Sequence, residues 1–91
     1  MAFTVVNTVK GTKEEIPIVL MDVQRLGIDA LRAQPGFRFA RLLVAEDGTE
    51  AMLIIEWESR DHFVAYRQGE IGRKLVETAM RLHPHISFYE V

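Results

Sequence analysis

Few side chains in this sequence suit chemistry on a small organic molecule, and Asn7 comes first among them. It falls in the row Phe3, Val5, Asn7, Val9, and strand periodicity turns alternate residues to one face. An amide buried in such a row without a partner costs about 1–3 kcal/mol. A ligand phenol or oxyanion would satisfy it, and so would a backbone group or a water. Tyr66 and Trp57 each present a wide apolar ring with one polar handle, useful against a flat aromatic ligand or as a core anchor. His62 carries an imidazole that moves protons near neutral pH. Arg41 stands in the row Phe37, Phe39, Arg41, Leu43. There it can pair with an acid, steer an anionic ligand or snorkel to solvent. Glu56 and Glu58 are candidates to pair with Arg41 or Arg38. Asn7, Tyr66, Trp57 and His62 are thus the candidate catalytic groups, and Phe39, Arg41 and Phe63 the candidate substrate contacts.

Other chemistries find less support. The chain has no cysteine, so neither a disulfide nor a thiolate metal site is expected. His83 and His85 are one residue apart, but no third ligand is close in sequence, and no metal is expected. Gly69 and Gly72 lack the preceding strand and the lysine of a phosphate-binding loop. No serine or cysteine has the setting of an activated nucleophile.

The elements that must position these groups follow from patterning. Val5, Val6, Thr8 and Val9 mark a strand over Phe3–Val9. Thr12 and Glu15 have capping-box spacing for a helix from about Glu14 to Ala33. Pro17 would remove one of its hydrogen bonds and can delay the regular helix by one to four residues. Val19, Val23, Leu26 and Ala30 form its apolar stripe, flanked by Ile16, Leu20 and Leu31, and Gly27 marks a break or a close approach. Pro35-Gly36 ends it. Phe37–Glu46 and Thr49–Glu58 form a hairpin around Asp47-Gly48, with Ala51, Leu53, Ile55 and Trp57 on one face and Met52 and Ile54 on the other. Trp57 is expected at a sheet edge. Ser59 caps a short helix to about Gln68, and Gly69 ends or bends it. Glu70–Leu82 follows as a helix with the stripe Ile71, Leu75, Ala79, Leu82, then His85–Val91 as a last strand.

The resulting order is β-α-β-β-α-α-β in one domain over residues 1–91. This is an α+β, ferredoxin-like split βαβ layer with a four-stranded antiparallel sheet and helices on one face. Hydrophobic residues make up 48% of the chain, a high share for so small an interior. The third strand is apolar on both faces, and the helices can cover only one of them. A second copy of the chain would cover the other, so a homodimer through sheet faces is expected.

Eleven basic and thirteen acidic residues give a formal charge of −2. The sequence shows no basic face for a nucleic acid. Apolar runs such as Ile18–Met21 and Ala51–Ile55 are far shorter than the roughly 20 residues of a membrane span. Residues 1–10 do not read as a signal peptide. A cytoplasmic protein is the expectation.

The junction Ile55-Glu56-Trp57-Glu58-Ser59-Arg60-Asp61-His62-Phe63 resembles the strand-to-helix passage of the antibiotic biosynthesis monooxygenase (ABM) superfamily. The stretch Tyr66 to Leu75 with its Gly69-Glu70 bend, Val5-Val6-Asn7-Thr8, Pro35-Gly36-Phe37 and Phe88-Tyr89 are similar too. The resemblance implies a dimeric α+β barrel with sheets packed face to face. It implies a cofactor-independent monooxygenase that oxidises a hydroxylated aromatic or quinol with molecular oxygen, using asparagine, tryptophan and tyrosine groups around a pocket between sheet and helices. Asn7, Trp57 and Tyr66 are the groups on offer. Haem-degrading members place an asparagine where Asn7 falls, a tryptophan where Tyr66 falls, and the iron-binding histidine where Val76 falls, and valine cannot ligate iron. The alternatives are a non-catalytic dimer that binds a small aromatic molecule, a variant haem-binding protein, and an isomerase-like or stress-linked dimer.

Overall fold

The computed structural model describes residues 2–80 and 84–90, without the side chains at 26–28 and 78–79. The expectations placed on Leu26, Gly27, Ala79, Leu82, His83 and Val91 lie outside the described residues. Strand β1 spans Phe3–Lys10, helix α1 Glu15–Arg32, β2 Phe37–Val44, β3 Glu50–Trp57, α2 Arg60–Gln68, α3 Glu70–Met80 and β4 His85–Glu90. The sheet order is β2-β3-β1-β4 and each neighbouring pair is antiparallel. This is the expected α+β ferredoxin-like layer.

Local signals explain most of the joints. The Thr12 N–H donates to Glu15 Oε1 at 2.9 Å and the Glu15 N–H to Thr12 Oγ1 at 3.1 Å. That is the reciprocal capping box, satisfying two donors that a helix start leaves free. Pro17 is the third residue of α1; the Ile16 N–H already donates to the Thr12 carbonyl at 3.1 Å, and Pro17 forgoes the next such bond. Ser59 caps α2 with its Oγ accepting from the His62 N–H at 3.4 Å. The Gly69 N–H closes the same helix onto the Tyr66 carbonyl.

Two readings of the hairpin are corrected. Its strands end at Val44 and resume at Glu50, so the expected strands over Phe37–Glu46 and Thr49–Glu58 are too long. Asp47 Oδ1 accepts from both the Thr49 N–H at 3.0 Å and the Thr49 hydroxyl at 2.6 Å. Gly48 takes a positive φ of 75°. These bonds commit residues 45–49 to a turn wider than two residues. Phe37 pairs with Trp57, but Phe39 pairs with Glu56, so a bulge falls between them. A bulge of one residue exchanges the faces of everything beyond it. Phe37 therefore shares the inner face with Trp57, while Phe39, Arg41 and Leu43 lie on the outer face with Glu56, Ile54 and Met52.

The inner face meets the helices. Phe3, Val5, Leu31, Ile55, Trp57 and Tyr66 form the buried cluster, with Phe63, Ile71, Leu75 and Ile86 packed beside it. Trp57 is corrected from its expected place at a sheet edge. Strand β3 lies inside the sheet and Trp57 is wholly buried. Phe37 meets the indole edge-on at 6.0 Å, and Tyr66 lies over it at 4.9 Å. Gly72 is buried in α3. A Cβ there would collide with the Tyr66 carbonyl, so glycine lets α3 close against the end of α2. Among the described residues, no helix is long and apolar enough to cross a membrane.

Candidate functional site

A cavity of about 100 Å³ lies between the inner sheet face and the helices. Its floor is Val5, Asn7 and Val9 of β1 with Ala51, Leu53 and Ile55 of β3. Register explains the floor: Asn7 is paired with Leu53 on one side and Ile86 on the other, so all three project the same way. Residues of α1, α2 and α3 close the roof, Tyr66 and Val76 among them.

Polar groups are sparse in this lining: the Asn7 amide, the Tyr66 hydroxyl and the Arg67 guanidinium. Neither the Asn7 amide nor the Tyr66 hydroxyl has a hydrogen-bond partner among the described residues. Desolvation by burial pushes the Tyr66 phenol up to about 12, since removal from water disfavours the phenolate. At neutral pH Tyr66 is therefore protonated and is a donor. Asn7 of β1 and Tyr66 of α2 thus line one apolar chamber, and donors from both could hold an oxygen atom that gains negative charge.

The other candidates are placed elsewhere. Trp57 is packed behind Tyr66 and does not line the cavity, and its indole Nε1 is buried without a partner among the described residues. His62 turns away from the cavity. Its Nδ1 is 2.7 Å from Ser59 Oγ, and its ring covers Gly36, where a Cβ would collide with it. Phe63 lines the cavity. Phe39 borders a separate depression with Arg32 and Arg38, and Arg41 lies on the outer face. Arg38, not Arg41, pairs with Glu56, at 3.7 Å. His85 is exposed on the outer side of β4, and no group of three possible metal ligands occurs among the described residues. Arg67 is the lining residue that sequence patterning misses. It is a polar residue in the last turn of a helix, and periodicity marks apolar faces only.

Comparison with known proteins adds the family. Comparison with curated protein sequences gives no match. Among solved structures, Rv0793 from Mycobacterium tuberculosis superimposes with a TM-score of 0.87 at 16% identity, covering 100% of this chain and 95% of that one. A conserved protein of unknown function from Bacteroides thetaiotaomicron, described as a possible oxidoreductase, gives 0.88 at 10% identity over 99% and 97%. SnoaB, a cofactor-independent oxygenase from Streptomyces nogalater, gives 0.77 at 19% identity over 99% and 92%. At these identities the likeness is one of fold. The family model for antibiotic biosynthesis monooxygenase matches residues 2–78, most of the strands and all of the helical roof that build the cavity, and the chain belongs to that family.

Proposed function

We propose that the chain is a cofactor-independent monooxygenase that oxidises a hydroxylated aromatic or quinol with molecular oxygen in the cavity between sheet and helices. The observation that carries this reading is the convergence of Asn7 and Tyr66, both without a partner among the described residues, on one apolar chamber. Such a reaction needs an electron-rich, ionised substrate, because the ring itself reduces dioxygen. Quinol and dioxygen give hydroxyquinone and water. One oxygen atom bonds to a ring carbon, the other leaves as water, and the ring supplies all four electrons. Hydrogen bonds to a charged acceptor are worth about 1.5–3 kcal/mol each. One such bond to the phenolate favours its ionised form by roughly one to two pKa units. Asn7 and Tyr66 would provide these bonds, and Trp57 would hold the Tyr66 ring in place. The apolar walls would keep water from a reactive intermediate.

Val76 lines the cavity at the position where haem-degrading relatives carry the iron-binding histidine. Its side chain has no lone pair to give iron, so no haem step is proposed.

Homodimer formation belongs to the same reading. Phe39, Leu43 and Tyr89 are exposed on the outer sheet face, with Val6, Met52 and Ile54 among them. A second copy laid face to face would bury this surface. A cytoplasmic location is part of the proposal as well.

Oxygen uptake with a panel of single-ring quinols tests the activity. Uptake above autoxidation, with a product that has gained one oxygen and lost two hydrogens, and without added metal or flavin, is the expected result. A panel giving no uptake above the Asn7→Ala background would sink the reading.

A further inference from the structure

A second depression, of about 440 Å³, lies beside the cavity and is lined by Phe3, Arg60, Phe63, Val64, Arg67, Phe88 and Glu90. Its floor is aromatic. Phe3, Phe63 and Phe88 stand 5.5–5.8 Å apart, centre to centre, and Phe88 is 48% exposed. Two guanidiniums flank that floor, Arg60 and Arg67, seven residues apart and thus two turns apart on α2. Neither has an ion-pair partner among the described residues. Glu90 is the acidic member of the lining.

Phe63 and Arg67 line both spaces. They therefore stand at the junction between cavity and groove. Volume decides what can pass this junction and what stays inside. An apolar chamber of about 150 Å³ is known to hold one benzene ring. The present cavity, at about 100 Å³, has room for one ring at most and none for an additional arm. Any substituent on a ring seated against Asn7 must therefore point out of the chamber, and the side bearing Arg67 is the one with a charged group to receive it.

We infer that Arg67 selects a single-ring hydroxylated aromatic that carries an anionic substituent, such as a carboxylate, with the ring in the cavity and the anion at the mouth of the groove. This rests on the cavity being the ligand site, as proposed above. A guanidinium receives a carboxylate through two parallel N–H donors. Arg67 is exposed, so water and salt screen the contact, which sets specificity more than raw affinity.

Calorimetric titration of the full chain under argon compares hydroquinone with 2,5-dihydroxybenzoate, the same ring with one carboxylate added. The expected result is about two- to fivefold tighter binding of the carboxylate probe at low salt, the range of a partly screened ion pair. Molar salt should reduce that preference. Arg67→Gln should abolish it. Arg25→Gln, on the exposed part of α1, should keep it. Equal binding of the two probes, or a preference that survives Arg67→Gln, overturns the inference while the cavity reading stands. If neither probe binds, the cavity reading falls and takes this inference with it.

Discussion

The Tyr66 ring lies 4.9 Å from the Trp57 indole, tilted by 34°, and Tyr66 also lines the cavity. One residue thus belongs both to the buried core and to the candidate site. Burial pushes its phenol up to about 12 from an ordinary value of 10. An acid whose folded pKa is raised contributes stability that is fully present below the unfolded pKa. It is lost as pH rises through the folded value. The window here is therefore pH 10 to 12. Denaturant unfolding of the wild type and Tyr66→Phe should show a difference that is constant below pH 9. The wild type should then lose about 2 kcal/mol relative to the variant by pH 12. A difference that stays constant through pH 12 would mean that the phenol is not held in an apolar setting.

Asn7 separates folding from function. Its amide occupies the inner sheet face with no partner among the described residues, so the fold gains no hydrogen bond from it. Asn7→Leu keeps similar volume and removes the desolvation cost of the amide. The variant should unfold at the same or a higher temperature, with a gain of up to about 1 kcal/mol. If Asn7 holds a developing oxyanion, the same change should lower kcat by about 10²-fold, as removal of one preorganised donor does. A clear loss of stability would instead assign Asn7 to a structural hydrogen bond.

How much of this site is legible in the sequence depends on the range of the interactions involved. The Thr12–Glu15 box and the Ser59 cap are readable because donor and acceptor lie three residues apart, and a fixed spacing implies a fixed geometry. The inner row Phe3, Val5, Asn7, Val9 is readable because a strand alternates strictly. The bulge after Phe37 is not, because it is a relation between β2 and β3, and no spacing within β2 records it. That single residue of slip moves Phe39 and Arg41 to the face opposite Phe37. Trp57 is misplaced for a related reason: strand order is a property of the whole sheet. How closely α3 presses on α2 beside Tyr66 is set by Gly72, which no periodicity announces.

His62 and Gly36 form a third test, of the loop beside the site. Gly36 has a φ of 81°, and a Cβ there would also overlap the His62 ring. Gly36→Ala therefore meets two penalties, a left-handed backbone conformation of roughly 1–2 kcal/mol and an overlap. His62→Ala removes only the second, so the double variant should regain part of the loss from Gly36→Ala. A coupling energy above about 0.5 kcal/mol in a double-mutant cycle would show direct contact. Strict additivity would mean that the imidazole does not cover Gly36. The same geometry predicts that His62 acts on the turn and not on substrate. His62→Gln should accordingly leave the pH profile of oxygen uptake unchanged in shape.

The outer sheet face carries the last test. Leu43 is 47% exposed and stands opposite Met52 in the register, two pairs beyond Arg41 and Ile54. These side chains have no helix over them, because α1, α2 and α3 all serve the inner face. A stable pairing of two such sheets would bury on the order of 800 Å² from each chain. A charge placed at its centre would be desolvated without a partner. Sedimentation velocity of the wild type should therefore give a dimer at micromolar concentration. Ile54→Lys should give a monomer that keeps its near-native circular dichroism but unfolds at lower temperature, because the inner core does not depend on Ile54. A wild-type monomer at every concentration tested would leave Leu43, Phe39 and Tyr89 permanently in water, and the face-to-face pairing would have to be abandoned.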